Sequence, residues 1–332
     1  YNSVMKQKND IVSFFRGIAI FTIVIYHLIQ TINTDPIIQK VAAFGGAGVH
    51  IFILCSGFGL YLSYLQKPIN YITFLKKRLS RIYYPYIIIV ILMAIHSSIQ
   101  YNKFPLNEVL SHIFLYKMFS TQLDTSICYP FWFISTIIQF YIAWPLIVKI
   151  IQHKRGYIAA LVISILYMTI VAVLKYSEFR VWNSFFLQYL WEFCLGMWIA
   201  EQLYTHNIKN NTLQVKYKYL IITMIIGIGL TGISGWKGGI LKIYNDIFSL
   251  LGYSSCLCII YRIGINTINR FFIWTSTFSY EIYLLHILIF SLMMTTSKYS
   301  YFVIVLCIPI TYFISWGYSQ LLKIIYNTQI IK

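Results

Sequence analysis

The stretch FFRGIAIFTIVIYHL, residues 14–28, is apolar enough to sit in lipid and yet carries Arg16 and His27. Ionisable side chains are costly in hydrocarbon, so within membrane spans they face a bundle interior or a water-filled cavity. The two residues are eleven positions apart. At 3.6 residues per turn they return to within about 20° of one helix face, about 16 Å apart along the axis. One face of a first membrane helix thus presents a cation at one depth and an imidazole at another. The plain structural roles are snorkelling to headgroups for Arg16 and capping of a buried carbonyl for His27.

The rest of the chain agrees with a lipid setting. Of 332 residues, 59% are hydrophobic and 11% charged, against about 45–50% and about 25% in soluble domains. The formal charge of +17 is spread between apolar runs and forms no single polar patch, which argues against nucleic acid and for loops that face an anionic leaflet. The six cysteines fall mostly in apolar runs, with neither disulfide nor metal-ligand spacing, and no metal site is indicated. The first apolar run is long enough to span and no small-residue cleavage site follows it, so no cleavable signal peptide is expected.

About ten apolar segments reach spanning length, near residues 11–30, 43–65, 82–100, 130–151, 157–175, 183–204, 219–236, 245–263, 271–292 and 300–326. The segment 104–121 is too polar to span and reads as an interfacial helix or loop. Placing the N-terminus in the cytoplasm puts most lysines and arginines on the inner side, which predicts both termini inside. The expectation is an all-α integral membrane protein of about ten transmembrane helices, N-in and C-in. It forms one domain over 1–332, multi-pass in the cell (cytoplasmic) membrane and in contact with membrane lipids, with no appended soluble domain and no internal repeat.

A second basic feature is FLKKRLSRIYYPY, residues 74–86. Arg78 and Arg81 are three apart on one helical face, and paired guanidinium forks suit phosphate oxygens. The alternative is a positive-inside anchor for lipid headgroups. With the Arg-x10-His of the first span, GAGVHIFILCSGF (46–58), FWFISTIIQFYIAWP (131–145), LWEFCLGMWIA (190–200) and SYEIYLLH (279–286), the chain resembles the membrane acyltransferase 3 family from about residue 10 to 326. The resemblance implies an acyltransferase-3-like bundle that moves an acyl group, most often acetyl, from cytoplasmic acyl-CoA to a hydroxyl of a cell-surface or secreted glycan.

The residues suit that chemistry. A sugar hydroxyl is a poor nucleophile, so a positioned base must take its proton, and His27 is placed to do so. Acetyl-CoA or another acyl-CoA is the expected donor. Arg78 and Arg81, with Lys77 beside them, would hold its phosphates, Arg16 would hold a phosphate or line the path, and Ser56 lies in a family motif at the same site. Glu192 and Glu281 lie deepest of the acidic residues, each a structural ion-pair partner for Arg16 or another cation, or a catalytic group. His286 either joins His27 or hydrogen-bonds across helices. Trp132, Gln139 and Tyr141 match a family motif and equally fit plain packing. Departures at His50, acidic in many relatives, and at Ile137 and Ile138, a glutamate pair in one branch, leave open whether His27 has a carboxylate partner. A transporter of a glycan or lipid-linked intermediate is the competing reading, since a bundle with buried polar groups also forms a translocation path.

Overall fold

The structure is a computed structural model and describes residues 2–32, 34–205, 215–296 and 300–330. Every regular element among them is helical: α1 (Asn2–Thr31), α2 (Pro36–Ala43), α3 (Gly48–Gln66), α4 (Tyr71–Tyr101), α5 (Leu106–Ile113), α6 (Trp132–Ile151), α7 (Gly156–Val173), α8 (Arg180–Asn183), α9 (Leu190–Thr205), α10 (Tyr217–Lys237), α11 (Ile240–Ile243), α12 (Asn245–Ile263), α13 (Asn266–Ser276), α14 (Ser279–Thr296) and α15 (Tyr301–Ile330). Lipid offers no partner for a backbone amide, and helices satisfy their own.

Eight of the described segments are long and apolar enough to cross a membrane, and a bent pair makes a ninth. Two of the ten expected segments account for the difference. The segment 183–204 folds as α8, a 3-10 turn and α9; α9, with 16 residues, rises about 24 Å, short of a full hydrocarbon core. The segment 271–292 is broken: α13 and α14 meet at 80°. The polar 104–121 region holds α5 and a 3-10 turn, in keeping with an element that does not span.

Close helix crossings rest on glycine. A Cβ on Gly57 of α3 would lie 2.0 Å from the Phe193 carbonyl oxygen of α9, and one on Gly196 would lie 2.0 Å from that of Leu54. Each helix thus lays bare backbone against the other, the small-residue packing by which lipid-embedded helices associate. Pro85 lies inside α4 and removes one amide from its ladder. Around it the hydroxyls of Tyr280 and Tyr318 donate to the carbonyls of Ile82 (2.7 Å) and Pro85 (3.2 Å), tying α14 and α15 to α4.

Three apolar clusters fill the bundle. One joins α3, α6 and α9 through Phe58, Phe140 and Phe193. A second joins α1, α4, α6 and α14 through Ile20, Tyr86 and Ile282. The third packs α1 against α12 and α13 through Phe14, Leu257 and Phe272. Their meeting line leaves a cavity between α1, α3, α4, α6, α14 and α15.

The 102–128 connection packs through polar groups. Lys117 is buried, and its Nζ donates to the carbonyls of Ser126 (2.9 Å) and Cys128 (2.8 Å). His112, also buried, sits between the Tyr86 hydroxyl (2.6 Å) and the Ser126 carbonyl (3.1 Å). Burial pushes the Lys117 ammonium down to about 8. Burial, then the nearby Lys117 charge, pushes His112 down to about 3.

Candidate active site

The cavity has a volume of about 520 Å³ and is lined by both Arg16 and His27, together with Ser56, Arg78, Arg81 and Lys323. The 11-residue spacing along the unbroken α1 places its two chemical ends about 16 Å apart. A parallel offset lies on α14, where Ser279 accepts from Arg16 Nη2 at 3.3 Å and the His286 ring lies 5.2 Å from that of His27. The break between α13 and α14 therefore opens beside Arg16, and the body of α14 carries the wall to His27.

The Arg16 end is cationic. Arg78 and Arg81 come from α4 and Lys323 from α15, while Glu281 is the acidic residue in the lining. Glu281 faces Lys323, Arg16 and Arg81, and its carboxylate is not within ion-pair distance of any of them among the described residues. Tyr141 faces Arg78 and Arg16. Lys77 is exposed and outside the cavity lining. Of the other motif residues, Trp132 and Tyr141 line the cavity, whereas Gln139 accepts from the Phe186 amide at 3.1 Å and ties α6 to the 3-10 turn before α9.

At the other end, His27 Nδ1 lies 3.0 Å from Gln30 Oε1, and Gln30 Nε2 donates to the Tyr26 hydroxyl at 2.7 Å. The neighbour of His27 is thus an amide. His286 is fully buried, its Nδ1 bonded to the Ile282 carbonyl at 3.1 Å and its Nε2 without a hydrogen-bond partner among the described residues. Trp132 stacks with Tyr189 at 5.9 Å and has Arg180 over its ring at 4.8 Å. Arg180 also donates to the Tyr129 hydroxyl.

Glu192 lies elsewhere. It is fully buried, accepts from His50 Nδ1 at 2.8 Å, and does not line the cavity. His50 Nε2 lies 3.6 Å from Asp246 Oδ1, and Gln188 Nε2 donates to Asp246 Oδ2 at 2.7 Å. The partner of Glu192 is therefore a histidine of α3 in place of an arginine or lysine. His50, Glu192 and Asp246 are the group of metal-type donors that the described residues bring within 4.8 Å of one another. Each ring nitrogen of His50 is turned to a different carboxylate, Nδ1 at hydrogen-bond distance and Nε2 at ion-pair distance; an ion would need one nitrogen and both carboxylates converging on a point.

Two site residues have no motif to mark them. Lys323 is one lysine near the end of an apolar span, and only the packing of α15 against α4 and α14 brings it to the cavity that Arg81 also lines. Gln30 follows His27 by three positions, a helix-neighbour spacing that marks it only once His27 is singled out.

This is a helical membrane protein with a cavity that is cationic at one end and imidazole-lined at the other. Residues 9–320 match the acyltransferase 3 family model, described as an acyltransferase domain. The chain belongs to that family and is a membrane acyltransferase. No match was found among curated proteins or among solved structures.

Proposed function

We propose that the protein transfers an acyl group, acetyl above all, from cytoplasmic acyl-CoA to a hydroxyl of a cell-surface or secreted glycan, with His27 as general base. The observation that carries this reading is the separation of the two ends of the cavity. From the diphosphate to the sulfur, the pantetheine arm runs through about thirteen bonds. At the reach of an extended backbone, about 1.2 Å per bond, that is about 16 Å, the Arg16–His27 spacing.

Phosphates held by Arg78, Arg81, Lys323 and Arg16 put the thioester beside His27. The cationic end then faces the cytoplasm, α9 crosses as a short tenth span so that both termini lie inside, and the acceptor enters from the His27 side. The acceptor oxygen attacks the thioester carbonyl while a ring nitrogen of His27 takes its proton. The C–S bond then breaks, and CoA leaves as a thiolate that needs little acid help. His286 backs the base. Glu192 acts through the α3–α9–α12 junction, away from the reacting atoms. Ser56 lines the donor's path, and Lys77 lies outside it.

Turnover of acyl-CoA by purified protein with a glycan acceptor tests the reading. His27→Ala is expected to abolish transfer while acyl-CoA still raises the Tm of the solubilised protein; transfer at the wild-type rate removes the base. A chain that moves a lipid-linked intermediate instead of acylating it would show neither acyl-CoA consumption nor that Tm shift.

A further inference from the structure

An imidazole serves as a base only through its unprotonated nitrogen, so a catalytic histidine needs its tautomer fixed by whatever its other nitrogen meets. His27 lines the cavity, whereas Tyr26 and Gln30 do not. Its Nδ1 is therefore the nitrogen turned away from the reaction space, toward Gln30 Oε1 at 3.0 Å. Gln30 in turn spends its Nε2 on the Tyr26 hydroxyl at 2.7 Å. With the amide nitrogen committed to Tyr26, the oxygen is what faces His27, and an oxygen pairs with Nδ1 only if Nδ1 carries the hydrogen. We propose that Gln30 is a positioning residue that holds His27 in the Nδ1–H tautomer, so that Nε2 presents its lone pair to the cavity.

Tyr26 is itself fixed. The turn before α3 closes over it, and a Cβ on Gly45 would come within 3.0 Å of the Tyr26 Cβ. The Tyr129–Arg180 pair lies beyond it. The other ionisable group against His27 is His286 of α14, whose Nδ1 is occupied by the Ile282 carbonyl and so does not compete for Gln30. An amide orients the ring without adding charge. A carboxylate in its place would also orient the ring but would stabilise the imidazolium, a poorer starting state for a base.

The inference rests on His27 being the base, and the test separates the two. Gln30→Leu removes the acceptor from an exposed position near the end of α1; the acyl-CoA Tm shift reports that the variant is folded. The expected result is a fall in kcat of at least about tenfold with the donor KM unchanged. Gln30→Glu keeps an oxygen for Nδ1–H, so it restores most of kcat near neutral pH and above and moves the acid limb of kcat/KM to higher pH by about one unit. In 15N-histidine-labelled protein, the signal missing from His27→Asn carries the Nδ1–H signature, and Gln30→Leu shifts it toward the other tautomer. Wild-type kcat in Gln30→Leu, or an unmoved acid limb in Gln30→Glu, overturns the positioning role while leaving a dead His27→Ala to support the base. A fully active His27→Ala overturns the base itself.

Discussion

Two charged clusters inside the bundle are built on opposite rules. In the His50–Glu192–Asp246 cluster, opposite charges meet within ion-pair range, His50 lying 2.8 Å from Glu192 and 3.6 Å from Asp246, and Gln188 donates to the other oxygen of Asp246. At the Arg16 end of the cavity, Arg16, Arg78, Arg81 and Lys323 surround one carboxylate that does not close on any of them. Paired buried charges satisfy each other and join helices; same-sign charges left facing a cavity are tolerable only if a ligand or water completes them. The first cluster fastens α3 to α9 and α12, and the second leaves its cations facing the cavity.

The sharpest way to break this contrast is to remove one partner from the fastened cluster. His50→Leu leaves Glu192 and Asp246 both without their shared partner, and stranding a buried charge costs about 3–5 kcal/mol. The expected outcome is a large fall in Tm and in folded yield. Glu192→Ala should be milder than His50→Leu, because His50 keeps Asp246 as its partner and no charge is stranded. A Glu192→Ala protein that keeps its Tm but loses turnover would move this residue into the chemistry.

Next in size is the donor end. Arg78→Ala with Arg81→Ala removes two charge-assisted contacts, each worth about 1.5–3 kcal/mol when made to a ligand. Donor affinity should fall by at least about a hundredfold with Tm in the absence of ligand little changed. An unchanged Kd for acyl-CoA would make the pair a lipid anchor.

The same contrast explains what was legible in the sequence. Arg16, His27, Arg78 and Arg81 stand out because ionisable residues are rare in apolar runs, and helical periodicity alone puts the first two on one face. The all-helical membrane fold follows from the same apolar runs. Where helices break is less visible. The α13–α14 bend falls at Ser276–Ser279, with neither proline nor glycine to announce it; Gly17 of α1, whose Cβ would lie 1.8 Å from the Phe272 carbonyl oxygen, shows α13 pressed onto α1 instead. Glu192 and His50 are 142 positions apart, a pairing that only the α3–α9 crossing at Gly57 and Gly196 creates. Local pattern reveals residues that are anomalous in place, while partners chosen by tertiary packing leave no local trace.

A smaller effect is expected in the 102–128 connection, where polar groups are buried outside the spans. His112 is held down to about 3 by burial, then by Lys117, against about 6.5 when unfolded. The unfolded segment therefore takes up a proton that the folded one refuses, so its stability is full above pH 6.5 and declines as pH falls toward 3. Each unit of that fall costs up to about 1.4 kcal/mol. Lys117, at about 8, is protonated in both states throughout that window and adds no slope there. Between pH 8 and 10.5 it makes the folded segment more stable as pH rises. Hydrogen exchange across residues 102–128 at pH 7.5 and 5 should show faster opening at the lower pH in the wild type. His112→Phe should flatten that difference, and an equal difference in both proteins would place its origin elsewhere.

The smallest expected effect concerns Glu281, the residue in which the two rules meet. It lies among Lys323, Arg16 and Arg81 without closing an ion pair, so it lowers the positive charge of the donor end without using up any one cation. A phosphate entering that end is repelled by the carboxylate and attracted by the cations. At an effective dielectric of about 20 a single unit charge several ångströms away changes the balance by only a few kcal/mol before screening, and water in the open cavity reduces it further. Glu281→Gln keeps the shape and removes the charge. The expected result is tighter binding of both acyl-CoA and free CoA, by a few-fold. If release of CoA limits turnover, kcat at saturating donor should fall while kcat/KM for the donor rises. Weaker binding in Glu281→Gln would mean that the carboxylate orders the surrounding cations, and it would place Glu281 with the fastened cluster on the structural side of the comparison.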